Sequence, residues 1–216
     1  MNKFTASAMA LFTVALVQTE TAFGEDIDSG NTIKTNTTRV DTAPAKSLSQ
    51  NFTASPAVLE AQRTKARERM REDLKIYSKD DLRQIESLYQ VANKKWKSEE
   101  GNESLKQLIA KYDKANRTGC ALLYLGQMTR GAEQVDYLKQ AIEKFSNCYY
   151  GNGVQVGANA RLILSGIYMR NGDKEKAVQL LKEIKTNYPD AITHKGQSLA
   201  PMIDMELERI SKSGQN

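Results

Sequence analysis

Two cysteines, one histidine and one glycine-rich stretch hold most of the chemistry that this chain of 216 residues can offer. Cys120 and Cys148 supply thiols, the right groups for a disulfide or for thiolate chemistry. His194 stands alone, so a His-Cys zinc site of ordinary make-up cannot assemble. A Ser-His-Asp triad would have to be built around this one loop residue, and His194 is not expected to be catalytic. The stretch Tyr149-Tyr150-Gly151-Asn152-Gly153-Val154-Gln155-Val156-Gly157 offers backbone amides of the kind that cradle phosphate. Its spacing, however, is G-x-G-x-x-x-G, and a helix precedes it where a phosphate loop needs a strand. It reads instead as a long flexible turn. Acidic pairs such as Glu99-Glu100 fall in turns with no partner at a fixed distance. The expectation is a protein that is not an enzyme, with no catalytic residue, metal or cofactor; an enzyme would need a buried acidic or tyrosyl cluster near Tyr149 and Tyr150.

The elements that position these groups are helical. In residues 157–190, Leu164, Ile167 and Tyr168 recur at three- and four-residue spacing, as do Ala177, Leu180, Leu181 and Ile184. Each set makes one apolar stripe on an amphipathic helix. Asn171-Gly172-Asp173 separates the two: Gly172 can take the left-handed conformation that ends the first, and the Asp173 side chain can cap the second. Pro189 has no amide hydrogen and disfavours helix at Tyr188, so the second helix stops there.

Leu164, Tyr168, Gly172, Asp173, Ala177 and Pro189 fall at the spacings of the tetratricopeptide repeat, whose period is about 34 residues. The segment resembles that family. Two residues depart from its pattern: Ser165 replaces the usual glycine and Arg161 the usual tryptophan. A charged side chain at the second position predicts weak packing on the preceding repeat, with the hairpin stacked loosely or displaced.

Two further hairpins precede this one. At 117–146, Ala121, Leu122, Leu125 and Gly126 mark one helix, and Val135, Leu138, Ala141, Ile142 and Phe145 the other. At 79–113, Ser78 and Asp81 read as a capping box. Leu82, Ile85, Leu88, Tyr89, Ala92 and Trp96 then form one face, and Leu105, Leu108, Ile109 and Tyr112 its partner. A last helix over 199–210, with Met202, Ile203, Leu207 and Ile210 inward, has the polar back of a terminal cap. The fold expected is all-α: antiparallel hairpins at about 79–113, 117–146 and 155–189, stacked as a short tetratricopeptide-like right-handed superhelix over 78–212, with a tail at 213–216.

The N-terminus reads as an export signal over 1–24: Asn2-Lys3, an apolar stretch from Ala6 to Val17, then Ala22-Phe23-Gly24 before a cut at Glu25. That stretch is shorter than the roughly 20 residues that span a bilayer. A periplasmic or secreted location follows. In such an oxidising compartment two cysteines favour a Cys120–Cys148 disulfide, since antiparallel packing returns both to one end of the middle hairpin. The register is imperfect, and roughly 9 Å must be absorbed by a fold-back at Ser146 and Asn147. Residues 25–55, rich in Thr, Ser, Asn and Asp, read as a disordered tether.

The formal charge is +5, with much basic character in the charged helix 56–77. It alternates in sign, as a solvated helix laced with ion pairs does. Leu59, Ala66, Met70, Leu74 and Tyr77 make a narrow stripe that suits a short coiled coil or a docking strut. Glu68, Glu72 and Asp73 oppose nucleic acid, which is not expected as a partner.

The resemblance implies a binding module whose inner surface grips a peptide or protein partner in the cell envelope. Carried over by the repeat pattern, that lining is Leu123, Gln127 and Arg130 with Asn159, Leu162, Gly166, Met169 and Arg170. The two arginines could clamp an acidic side chain or a C-terminal carboxylate. The alternative is an oligomeric spacer, similar to exported repeat proteins linked to the Tol-Pal system, that self-associates through helix 56–77.

Overall fold

Serine side chains start three of the helices. In the computed structural model, which describes residues 52–213, Ser55 caps α1 (Pro56–Asp73), its Oγ accepting the Val58 amide at 3.3 Å. Pro56 suits that first turn, where an amide hydrogen would go unused. Ser78 and Asp81 form the expected reciprocal box at the start of α2 (Lys79–Lys94), with bonds of 3.2 and 3.3 Å. Ser98 caps α3 (Glu99–Lys111) through the Gly101 amide at 3.0 Å.

Five more helices follow: α4 (Asn116–Met128), α5 (Gly131–Lys144), α6 (Val156–Arg170), α7 (Lys174–Asn187) and α8 (Leu199–Ser213). Among the described residues there are no strands, only isolated bridges such as Tyr149 with Gln155. The protein is all-α. Helices α2 with α3, α4 with α5 and α6 with α7 pair as antiparallel hairpins, and each hairpin packs on the next through α3 with α4 and α5 with α6. Helices α2, α4 and α6 also touch in succession, forming one row. The expected signal peptide, most of the tether and residues 214–216 lie outside the described residues.

Leucines fill the seam. Leu105, Leu108, Leu122, Leu123, Leu125 and Leu138 are fully buried in one cluster that runs from α2 to α6. Each contributes about 1.5–3 kcal/mol relative to exposure. A second cluster joins α6 and α7 to α8 through Leu181, Ile184, Leu199 and Ile203. Small residues let the helices approach. A Cβ on Gly126 would stand 2.6 Å from Leu138 Cδ2, and one on Gly157 2.7 Å from the Ser146 carbonyl. Gly172, at φ +85°, ends α6 as expected. Asp173 does not cap α7: its carboxylate pairs with Lys176 at 3.2 Å instead.

Arg161 overturns the expectation of loose stacking. Its guanidinium donates to Ser146 Oγ, Tyr188 Oη and the Gly157 carbonyl, each at 3.1 Å, and to Glu183 Oε2 at 2.9 Å. Ser146 ends the preceding hairpin and Glu183 lies on α7, so this one side chain bolts two hairpins together. The planar five-donor guanidinium is what lets one side chain reach all four acceptors.

In an up-and-down stack, linkers and turns fall at opposite ends. The α3–α4, α5–α6 and α7–α8 linkers lie at one end, and the turns inside the hairpins at the other. Helix α1 crosses all three linkers. Arg69 Nη2 donates to the Lys114 carbonyl at 2.9 Å, and Asp73 accepts the Asn116 amide at 2.9 Å. Gly153 lies so close beneath Gln62 that a Cβ there would meet Gln62 Cβ at 2.9 Å. Ahead of α1, Ala54 donates its amide to the Gly196 carbonyl at 2.9 Å and Phe52 accepts that of Ser198 at 2.7 Å. The final residues of the expected tether are thus ordered against the last linker. A helix of 18 residues spans about 27 Å, enough for two spacings of about 10 Å between hairpins. The expected helix 56–77 ends at Asp73, and its stripe faces its own domain except at Leu74, which is exposed: Ala66 is fully buried, Leu59 packs near Ala54, Val154 and Ile192, and Tyr77, past the helix end, meets Tyr112 edge-on at 5.6 Å.

Candidate partner-binding surface

The eight residues expected to line a groove divide along the length of the stack. Leu123 is fully buried in the main core and lines no surface. Asn159 is buried too, and its Nδ2 holds the Gln155 carbonyl at 3.0 Å and the Ile192 carbonyl at 3.2 Å, fixing the α7–α8 linker. Leu162 and Met169 are half-buried against the cluster that includes α8. These four are absorbed by packing.

The other four remain available near the turn end. Gln127 and Gly166 are half-buried, and Arg130 and Arg170 are exposed. Arg170 is the last residue of α6 and Arg130 precedes the first residue of α5. Among the described residues neither arginine has an ion-pair or side-chain hydrogen-bond partner. The Arg170 guanidinium lies back over Gly166, where a Cβ would be in ordinary contact with Nη1 at 3.6 Å. The arrangement presents two guanidinium groups from neighbouring hairpins, free to take bidentate bonds to a carboxylate.

Most polar groups at the linker end are already spent, although Gln62 Oε1 and Arg69 Nε are buried there without a hydrogen-bond partner. Arg69 Nη1 binds Asp73 Oδ1 at 2.7 Å, and Asp73 takes the first amide of α4, a helix whose own N-cap residue, Ala115, supplies no side-chain bond. Asn116 pairs with Tyr149 like a strand neighbour, giving Nδ2 to its carbonyl and taking its amide, both at 2.8 Å. The glycine-rich stretch is consequently not a loose turn: the Tyr150 amide donates to the Val154 carbonyl at 2.9 Å, and Gly153 and Val154 are buried. None of this was visible as a motif. The only signal was the absence of a capping side chain at Ala115.

The cysteines correct another expectation. Cys120 and Cys148 are free, fully buried thiols, and they do not form the disulfide. The fold-back at Ser146 and Asn147 brings Cys148 against Gly119: a Cβ on Gly119 would be 2.7 Å from Cys148 Cβ. The Cys120 thiol instead donates to the Tyr149 carbonyl at 3.4 Å. Burial raises both thiol pKa values, that of Cys148 to about 11, so neither is a ready nucleophile near neutrality. His194 meets Tyr150 edge-on at 4.7 Å, and its Nδ1 lies 3.5 Å from Asn152 Nδ2, with burial lowering its pKa. Tyr150 gives its hydroxyl hydrogen to the Cys120 carbonyl at 3.1 Å.

Among the described residues, no group of three His, Cys, Asp or Glu side chains gathers as a metal site, and no helix is long and apolar enough to cross a membrane. The fold defines an all-α protein of stacked helical hairpins. Set against protein-family models, curated proteins and solved structures, the chain matches none.

Proposed function

We propose that this chain is an exported, tetratricopeptide-like binding module that holds a protein or peptide partner in the cell envelope at the turn end of its hairpin stack. The observation that carries the reading is the pair Arg130 and Arg170, presented by adjacent hairpins and without an anionic partner among the described residues. Exposed arginines near a helix C-terminus also favour the macrodipole. Two of them on neighbouring hairpins suit a partner with an acidic side chain or a free C-terminal carboxylate. Helix α1 stiffens the opposite end and leaves this one accessible.

The alternative, a spacer whose free helix 56–77 forms a coiled coil, has less support because Leu59, Ala66 and Tyr77 are committed to their own domain. The test is Arg130→Glu with Arg170→Glu in the full chain, followed by cross-linking in intact cells and mass identification of captured proteins. Loss of one reproducible partner at unchanged thermal stability supports the reading. Retained capture counts against it.

A further inference from the structure

Helix α1, a strap across the three linkers, closes one end of the stack, and the hairpin turns form the other. Each turn carries an exposed cation. Lys94 is the last residue of α2, Arg130 stands between α4 and α5, and Arg170 is the last residue of α6. Among the described residues none of the three has an anionic partner.

The row of helices that ends in these cations offers them no carboxylate. Helices α4 and α6 contain no aspartate or glutamate at all. In α2 the acids lie away from Lys94: Asp80 and Asp81 are in the first turn, and Glu86 is held by Arg117 through two bonds of 2.8 and 3.1 Å. The acidic groups of the turn end sit on the other helices, Glu99 and Glu100 starting α3, Glu133 starting α5 and Glu175 starting α7. There the positive end of each helix dipole favours them. Glu100 is also taken by Lys95 at 2.5 Å, and Asp173 by Lys176 at 3.2 Å. An anionic chain therefore has one unopposed path across this end, along α2, α4 and α6 from hairpin to hairpin.

The spacing of that path selects a conformation. Helices α2, α4 and α6 touch in succession, and packed helices lie about 8–10 Å apart. A β-strand returns a side chain to one face about every 7 Å, and an α-helix turns about every 5.4 Å. A polyproline II segment returns one every third residue, about 9 Å on, and so keeps step with the cations. Trp96 borders the first gap: it is half-buried and stands edge-on against Tyr124 of α4, ring centroids 4.6 Å apart. Proline-rich segments dock on aromatic surfaces of this kind.

We propose that the partner enters as a polyproline II segment with an acidic residue at every third position, its successive carboxylates meeting Lys94, Arg130 and Arg170. The inference rests on the reading of Arg130 and Arg170 as partner contacts, and it adds the third cation, the conformation and the period.

The experiment titrates the full chain into two labelled peptides of equal composition, Glu-Pro-Pro-Glu-Pro-Pro-Glu and Pro-Pro-Glu-Glu-Glu-Pro-Pro, followed by fluorescence anisotropy. Both are acetylated and amidated, which removes the terminal charges. The spaced peptide should bind roughly tenfold more tightly than the clustered one, and Lys94→Gln, Arg130→Gln and Arg170→Gln should each weaken it by about fivefold. Equal affinity of the two peptides, or no binding of either at millimolar concentration, overturns the inference. If both arginine variants weaken the spaced peptide and Lys94→Gln does not, the inference fails while the arginine pair stands as a contact. If none of the three weakens it, both readings fail. Binding to phosphatidylglycerol vesicles without binding to the spaced peptide assigns the row to a membrane surface and overturns the inference as well.

Discussion

The Asp73 carboxylate accepts the backbone amide of Asn116 at 2.9 and 3.2 Å, so a side chain on α1 caps a helix that begins 43 residues later. Helix α4 is the most enclosed element of the stack, and its N-cap, Ala115, has nothing to offer the free amides. Asp73 is itself held by Arg69 at 2.7 Å. Asp73→Ala therefore leaves a buried amide and a largely buried guanidinium without their acceptor, which costs roughly 3 kcal/mol. A urea titration should show the midpoint fall accordingly, and a change under about 0.5 kcal/mol, the range of an ordinary surface substitution, would remove the strap's capping role.

Arg161 makes a comparable bridge between hairpins. Its side chain is 12% exposed and bonds three neutral acceptors besides Glu183, with the ring of Tyr188 at 5.2 Å. Arg161→Lys keeps the charge but loses the fork, and it should destabilise by about 1–2 kcal/mol. Arg161→Ala should cost about 2–4 kcal/mol, which lowers Tm by roughly 5–10 °C in a domain of this size. Calorimetry of both variants checks the order. Equal stability of the lysine variant and the wild type would mean that the charge alone matters.

The hairpins were legible because amphipathic period, serine caps, Gly172 and Pro189 all act locally, through residues within a few positions of each other. Leu164, Leu181 and Ile184 are buried where the period placed them. The strap was not legible, because Asp73, Asn116 and Gly153 meet only after three linkers converge. Their residue types, taken singly, read as a charged helix, a polar helix start and a turn. The groove suffered from the same limit. Repeat spacing places Leu123 and Asn159 on the inner row, but it says nothing of neighbours that cover them: Leu123 is sealed in the core and Asn159 binds the linker at Ile192. Arg161 misled in another way, because a charged side chain in a packing position predicts weakness only when its acceptors are unknown.

The thiols give a direct measurement. Cys120 and Cys148 are enclosed and unbonded, so the native protein should react with no more than a trace of a thiol reagent near pH 7, and two thiols per chain should appear on unfolding without reductant. Each is held as the neutral thiol by burial, with the other cysteine a further unfavourable charge for Cys120. A count of zero after unfolding would show a disulfide and reverse the assignment.

Alkaline stability follows from the same burial. Cys148, Cys120, Tyr89 and Tyr150 all titrate higher in the fold than in an open chain, mainly through desolvation, with Cys148 reaching about 11. An unfolded thiol loses its proton near pH 8.5 and a tyrosine near 10. For these groups the folded chain binds the proton more tightly, so their contribution is complete below the unfolded value and is lost as pH rises through the folded one. Stability should hold level from pH 7 to about 8, then decline from about pH 9 upward. Cys148 alone accounts for on the order of 3 kcal/mol by pH 11. Urea midpoints at half-unit steps from pH 7 to 10.5 should bend downward above pH 9. Replacing Cys148 with Ala should lower the starting stability yet make the early part of that bend shallower, because one of the two thiols that titrate first in the unfolded chain is gone while Cys120 remains. An unaltered slope in the alanine variant would assign the alkaline loss to Cys120 and the tyrosines.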